Sequence, residues 1–368
     1  MTVAIAIIAD DLSGAAETVG AVAGGAFAEL RLMPAATPST APVVAIDTNT
    51  RGRSQHEAQV ALREALATLP AGAVLYKKID SLLRGNLSSE VALLRALSHR
   101  IVVVTAVPRV GRTSVGGVVH LDGVPLHETS AWEHETRPAP SSTAAALGVP
   151  STVISAATVR SADLGAAMLE AFAADLVAVC DAETEADLEL IAAALDPRAT
   201  IVAAAGLARA LAPRFALAAG VPRFAPGADR VVTVVGSQAP SAISQVECMD
   251  AVWHCVVPGA APDLGAGDAV VTLAPGEWAG DDLVRAFTAI ARSIRGLPGR
   301  TDLVLTGGDT ARRVLDALGV VSLFPEYEIQ DGAVLSCTDN GFVVVTRPGS
   351  YGAEDGLQRI VEHLRGTA

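Results

Sequence analysis

Short apolar runs alternate along this chain with longer Ala- and Leu-rich stretches whose apolar positions recur at helical spacing. This is the pattern of parallel strands, buried on both faces and crossed by helices. It predicts strands over Val3–Ala9, Val43–Ile46, Val74–Lys77, Ile101–Thr105, Leu176–Val179 and Thr200–Ala203. Later strands are predicted over Val231–Val235, Ala269–Leu273, Leu303–Leu305, Ala333–Cys337 and Phe342–Val345. The clearest helix starts at Ser54, where Glu57 completes a capping box, and its apolar positions continue to Leu69. Others are expected over Thr184–Leu195, Ser241–Met249, Asp281–Ile294 and Thr310–Leu318. Between Pro213 and Asp229 the breakers Pro213, Gly220, Pro222, Pro226 and Gly227 interrupt the alternation and read as an interdomain linker. The expected fold is therefore α/β with two domains, residues 1–220 and 221–368. Each would be a mainly parallel sheet flanked by helices, with an interdomain cleft. The stretch from Gly111 to Pro140 reads as a long functional loop.

Composition sharpens this picture. Apolar residues make up 51% of the chain but aromatic ones only 4%, so the cores must be built from Ala, Val, Leu and Ile. A formal charge of −13 with no compensating basic run argues against nucleic acid and anionic membrane as partners. No apolar stretch approaches the roughly 20 residues needed to span a bilayer. The first apolar run has no basic residue before it and is cut off by Asp10 and Asp11, which argues against a signal peptide and for a soluble, cytoplasmic protein. Cys180, Cys248, Cys255 and Cys337 lack metal or disulfide spacing and are expected to be reduced core thiols.

Candidate chemistry lies where the predicted strands end, since ligands of open α/β sheets bind at the carboxyl edge. Three successive strands of the first domain end in polar clusters: Asp10-Asp11-Leu12-Ser13-Gly14, Asp47-Thr48-Asn49-Thr50-Arg51, and Lys78-Ile79-Asp80-Ser81-Leu82-Leu83-Arg84-Gly85-Asn86. A fourth, Pro108 to Thr113, adds Arg112, the preferred anion ligand. Arg and Lys clamp a carboxylate or phosphate, Asp orients or deprotonates a hydroxyl, and Asn, Ser and Thr bond the rest, which is what a polyhydroxy acid requires. Acidic residues also favour any helix start, and surface ion pairs are common at sheet edges, so it is the coincidence of the clusters that carries the argument. The candidate substrate ligands are Asp10, Asp11, Arg51, Lys78, Asp80, Arg84, Asn86 and Arg112. Asp80 is the first candidate for the catalytic carboxylate and Asp11 its competitor.

Strand ends of the second domain are rich in glycine: Gly236-Ser237, Thr306-Gly307-Gly308-Asp309-Thr310, and Gly349-Ser350-Tyr351-Gly352. Small residues let backbone N–H groups approach an anion at a helix start, so these loops read as a phosphate cradle. Gly236, Ser237, Thr306, Gly307, Gly308, Asp309, Thr310, Gly349, Ser350 and Gly352 are the candidate nucleotide ligands. Neither a P-loop nor a dinucleotide fingerprint is present. Gly265-Ala266-Gly267-Asp268 is similar to the catalytic turn of ribokinase-like sugar kinases, but strand-forming Ala269–Leu273 follows where that turn would need a helix.

Taken in order, the clusters resemble the four-carbon acid sugar kinase family, long filed as a domain of unknown function. The resemblance implies an acid-sugar domain followed by an ATP domain, with Mg²⁺ accompanying ATP. The implied reaction is phosphorylation of the terminal hydroxyl of threonate, erythronate or a 3-oxo-tetronate. Glu17, Leu82 and Arg347 stand where the family usually has Asp, Thr and Lys. The alternatives are a non-catalytic sensor binding both acid sugar and nucleotide, or a ribokinase-like kinase. Which acid is used and which groups hold metal stay open, as does a homodimer.

Overall fold

The computed structural model describes residues 3–34, 39–133, 135–236, 240–276, 278, 280–330, 332–349 and 351–367. It divides into two compact units, Met1–Ala26 with Met33–Ala218, and Phe27–Leu32 with Ala219–Ala368.

In chain order the strands of the first stretch are β1 (Ile5–Ala9), β2 (Ala28–Arg31), β3 (Val43–Asp47), β4 (Val74–Lys78) and β5 (Ile101–Val104). A hairpin, β6 (Arg112–Val115) and β7 (Val118–Leu121), with the short β8 (Val124–Pro125), precedes β9 (Ser151–Ile154), β10 (Val177–Cys180) and β11 (Thr200–Ala203). The helices are α1 (Leu12–Ala23), α2 (Gln55–Thr68), α3 (Leu87–Arg95), α4 (Thr143–Leu147), α5 (Ala156–Val159), α6 (Leu164–Ala173), α7 (Glu185–Ala194) and α8 (Ala205–Phe215). Seven strands of the first unit form a parallel sheet in the order β3-β1-β4-β11-β5-β10-β9. β1 and β3 are buried along their whole length, which is why they read as unbroken apolar runs. Because β1 lies between β3 and β4, with Ala9 opposite both Asp47 and Lys78, three polar strand ends become neighbours.

The second unit contains β12 (Arg230–Val235), β13 (Val252–Val256), β14 (Ala269–Leu273), β15 (Thr301–Thr306), β16 (Ser322–Gln330), β17 (Ala333–Thr338) and β18 (Val343–Arg347). Its helices are α9 (Pro240–Glu247), α10 (Gly280–Arg295), α11 (Gly308–Ala317) and α12 (Gly356–Arg365). Strands β13-β14-β12-β15-β18 run parallel, and β17, β16 and then β2 continue the sheet antiparallel. β2 therefore belongs to this unit although it lies early in the chain. Phe27 and Phe324 stack with ring centres 5.9 Å apart, and the Arg223 guanidinium lies 4.6 and 4.5 Å from those centres, which ties the region after α8 to the β2–β16 seam.

Ser54 caps α2 and the capping box is formed. Residues Ala269–Leu273 are indeed a strand. Three expectations change. Pro213 lies inside α8, near its C-terminal end, so the helix extends into the predicted linker. The stretch after Gly111 is structured: Gly116 and Gly117 turn the β6–β7 hairpin, and Trp132 is buried with its Nε1 donating to the Leu82 carbonyl at 2.8 Å. Of the four cysteines, Cys180 is buried, but Cys248 and Cys255 are exposed and so are not core thiols. Among the described residues no helix is long and apolar enough to cross a membrane.

Candidate functional site

At the carboxyl edge of the first sheet, Arg51 gathers the carboxylates. Its turn is fixed by the backbone: the N–H groups of Thr50 and Arg51 both donate to the Asp10 carbonyl. From there the guanidinium donates to Asp10 through Nε at 2.9 Å and Nη2 at 2.8 Å, and Nη2 reaches Asp11 at 2.7 Å. Asp80 lies 3.8 Å from Nη1. Arg84 forms its own fork on Asp80, through Nε at 2.7 Å and Nη2 at 2.9 Å. Arg112, at the start of β6, donates to Ser81 Oγ at 2.6 Å and so joins the same loop. Asn86 is turned away from this group: its Nδ2 donates to the carbonyls of Thr50 and Arg53, stitching the Arg51 turn to the start of α3.

These contacts set the charges. Burial works against the Asp80 carboxylate, but Arg51, Arg84 and Arg112 outweigh it and hold its pKa well below the usual range. Asp10 is lowered against the same burial penalty by Arg51 and Lys77. Arg51, despite desolvation, is raised well above its ordinary value by Asp10, Asp11 and Asp80. Asp10, Asp80 and Arg51 are thus ionised at neutral pH.

Lys78 differs from its neighbours. It is buried, its Nζ donates to the Ile79 carbonyl at 2.9 Å, and no carboxylate lies within 4.0 Å of it among the described residues. A Cβ at Gly14 would fall 2.5 Å from Lys78 Nζ and 2.5 Å from Asp11 Oδ1, so only glycine leaves room there for both groups. Asp11 also accepts from Ser13 Oγ and from Gly14 N, as the N-cap of α1. Of the substrate ligands expected from sequence, Asp10, Asp11, Arg51, Asp80 and Arg84 form one network. Lys78 and Arg112 sit at its border.

Sequence reasoning missed Lys77 and Glu90 at this edge and named Glu17 only as a departure from the family's usual Asp. Lys77, fully buried, pairs with buried Glu90 of α3 at 2.9 Å beneath Asp10. Buried Glu17 of α1 accepts from Arg109 at 3.2 Å. The signal for Lys77 was present, since a lysine in a strand buried on both faces needs an internal partner. Which carboxylate supplies it depends on a helix docked from elsewhere.

In the second unit the glycine loops also meet at a carboxyl edge, because Val235 is opposite Thr306 and Thr306 opposite Arg347. Gly307, at φ 85°, turns the chain and donates its N–H to the Arg347 carbonyl at 2.9 Å, and α11 begins at Gly308 with no side-chain cap on its first turn. Its leading N–H groups are left for a ligand or water. A Cβ at Gly236 would lie 1.7 Å from Thr310 Oγ1, so β12 can end against α11 only as glycine. Thr306 and Thr310 are buried, whereas Asp309 is exposed and pairs with Arg313 at 2.7 Å. Gly349 and Gly352 follow β18, and Gly352 has φ 98°. Ser237 and Ser350 lie outside the described residues. Among the described residues no cluster of three or more His, Cys, Asp or Glu could hold a metal ion.

The sugar-binding N-terminal domain family matches residues 5–211, and the nucleotide-binding C-terminal domain family matches residues 262–357. A D-threonate kinase of Cupriavidus necator is 35% identical, with 95% of this chain and 95% of that protein covered. A D-threonate kinase of Bordetella bronchiseptica is 31% identical over 98% of this chain and 97% of its own. Among solved structures, a Salmonella typhimurium LT2 protein described as a candidate tRNA synthase shares the fold, with a TM-score of 0.81 at 22% identity over 99% of this chain and 100% of its own. The chain belongs to the four-carbon acid sugar kinase family.

Proposed function

We propose that this protein uses ATP to phosphorylate the 4-hydroxyl of D-threonate. Residues 1–220 would bind the acid and residues 221–368 the nucleotide. The observation that carries the reading is Lys78, a buried lysine with no carboxylate within 4.0 Å among the described residues, set beside three carboxylates, Asp10, Asp11 and Asp80, that are held by Arg51 and Arg84. A four-carbon sugar acid supplies the missing complement: one carboxylate for Lys78, with Arg112 beside it, and hydroxyls for Asp10, Asp11 and Asp80. The two relatives named D-threonate kinase favour that acid over its isomers.

Asp11 is assigned to the reacting hydroxyl. Asp80 spends both oxygens on Arg84 and is close to Arg51, which suits it to holding those cations in place. Asp11 shares the space over Gly14 with Lys78, where it can orient the 4-hydroxyl and take its proton late, as phosphoryl transfer requires. The hydroxyl oxygen forms its bond to the γ-phosphorus as the bond to ADP breaks. The uncapped start of α11, with Gly236, Gly307 and Gly308, receives nucleotide phosphates through backbone N–H groups. Mg²⁺ usually rides on phosphates with one or two carboxylates, and Asp309 is the carboxylate the cradle offers.

A coupled assay of ADP release tests this, using D-threonate, L-threonate, D-erythronate, L-erythronate and their 3-oxo forms. The expected result is turnover that depends on acid and is greatest in kcat/KM for D-threonate. Binding of both ligands without turnover would instead identify a sensor.

A further inference from the structure

Arg347 ends β18 buried, at 2% exposure, yet no carboxylate lies within 4.0 Å of it among the described residues. A guanidinium has five N–H donors. Among the described residues only Nη1 has an acceptor, Gln245 Oε1 at 2.7 Å, and Nε is buried with none. Gln245 is itself buried in α9, and its Nε2 reaches the Tyr351 carbonyl at 3.3 Å, so the pair underlies the glycine loop after β18. The loop comes down onto the cation: a Cβ at Gly352 would lie 3.0 Å from Nη2, and one at Gly356, the first residue of α12, would lie 3.7 Å from Nη1. On its other side, the backbone carbonyl of Arg347 holds Gly307, the turn into α11.

We infer that the counter-charge of Arg347 is a phosphate group of the bound ligand, received between the glycine loop and the turn at Gly307, so that Arg347 is a phosphate-binding residue of this site. The inference rests on the reading of this edge as the nucleotide site. Burying a charge is costly unless it is paired and hydrogen-bonded, and a protein has no reason to keep a bare buried guanidinium unless something else pairs with it. Burial lowers the pKa of Arg347 to about 10, which leaves it cationic at neutral pH. Gln245, being neutral, fixes the orientation of the guanidinium without cancelling its charge. Arg230 makes a useful contrast: it too is buried with an orphaned Nε, but it begins β12, at the opposite edge of the same sheet.

The test uses the full-length protein and Arg347→Met, with Arg230→Met as control, and reads ATP and pyrophosphate binding by calorimetry and thermal unfolding without ligand. Arg347→Met is expected to weaken both ligands at least tenfold. The same variant should unfold at the wild-type temperature or above, because it removes an uncompensated buried charge. A merely structural arginine would give the reverse. Should Arg347→Met fail to fold, Arg347→Gln, which keeps a partner for Gln245, replaces it with the same expectations. ATP and pyrophosphate binding within twofold of wild type in the variant, or an equal loss in Arg230→Met, overturns the inference and leaves the nucleotide reading standing. Arg347-dependent pyrophosphate binding without ATP binding keeps the inference and removes the nucleotide reading. If the wild-type protein binds neither ligand, both fall.

Discussion

Arg51 touches two carboxylates directly and lies near a third, so its removal exposes several unbalanced charges at once. Breaking a buried ion pair from one side typically costs about 3–5 kcal/mol, and the partial exposure of Arg51 places Arg51→Ala near the lower end. We expect a loss of about 3 kcal/mol in urea unfolding, together with at least a tenfold rise in KM for D-threonate. Asp80 gives a second prediction. Its carboxyl titrates lower in the folded protein than in the unfolded chain, so its pairing with Arg84 and Arg51 stabilises the fold above the unfolded pKa of about 3.9. That contribution drains away as pH falls through and below that value. Asp80→Asn should therefore be less stable than wild type at pH 7, and the difference should shrink by pH 3, as read from urea midpoints. A constant difference across that range would place its stabilising effect outside the ion pairs.

At the scale of elements, the end of β12 and the start of α11 are one packing problem. Gly236→Ala should destabilise the second unit and weaken ATP binding, because its Cβ would collide with Thr310. Adding Thr310→Gly should recover much of the stability, since the colliding side chain is gone, and a double-mutant cycle measures the coupling. Ser54→Ala, which removes a capping box far from any glycine loop, should cost about 1 kcal/mol with ATP affinity unchanged. Most strands were legible because they are buried on both faces and so read as apolar runs. β2, Ala-Glu-Leu-Arg, was not: it is four residues long, and Glu29 and Arg31 pair with each other along it at 2.9 Å. β16 was hidden by Pro325, which the structure accommodates at a register shift between Pro325 and Tyr327. The site was legible as clusters at strand ends, since a parallel sheet brings those ends together. The pairing within it was not, because Arg51 could as well have met Asp47, and only the turn that bonds to the Asp10 carbonyl aims it at Asp10 and Asp11. Arg347 was visible as a charge, but nothing in the sequence says that it is buried without an anion.

At the scale of the whole molecule, the two sites lie at the ends of strands that belong to different units. Hydrogen exchange should separate them. D-threonate is expected to slow exchange in peptides covering residues 10–14, 48–51 and 78–86, and ATP in those covering 306–312 and 346–352. Protection by each ligand in the other's segments would contradict the assignment of one ligand to each unit. The unusual connectivity has a further consequence, for synthesis. β2 is completed at Arg31, but its partner β16 begins about 290 residues later, at Ser322. At ribosomal rates of roughly 5–20 residues per second, that interval lasts about 15–60 s. Throughout it the nascent chain carries a four-residue strand whose antiparallel partner has not yet been made. The antiparallel seam then closes only as the last part of the chain emerges. A ribosome stalled before Ser322 would hold a chain with the parallel strands of the first unit complete and β2 still without its antiparallel partner β16.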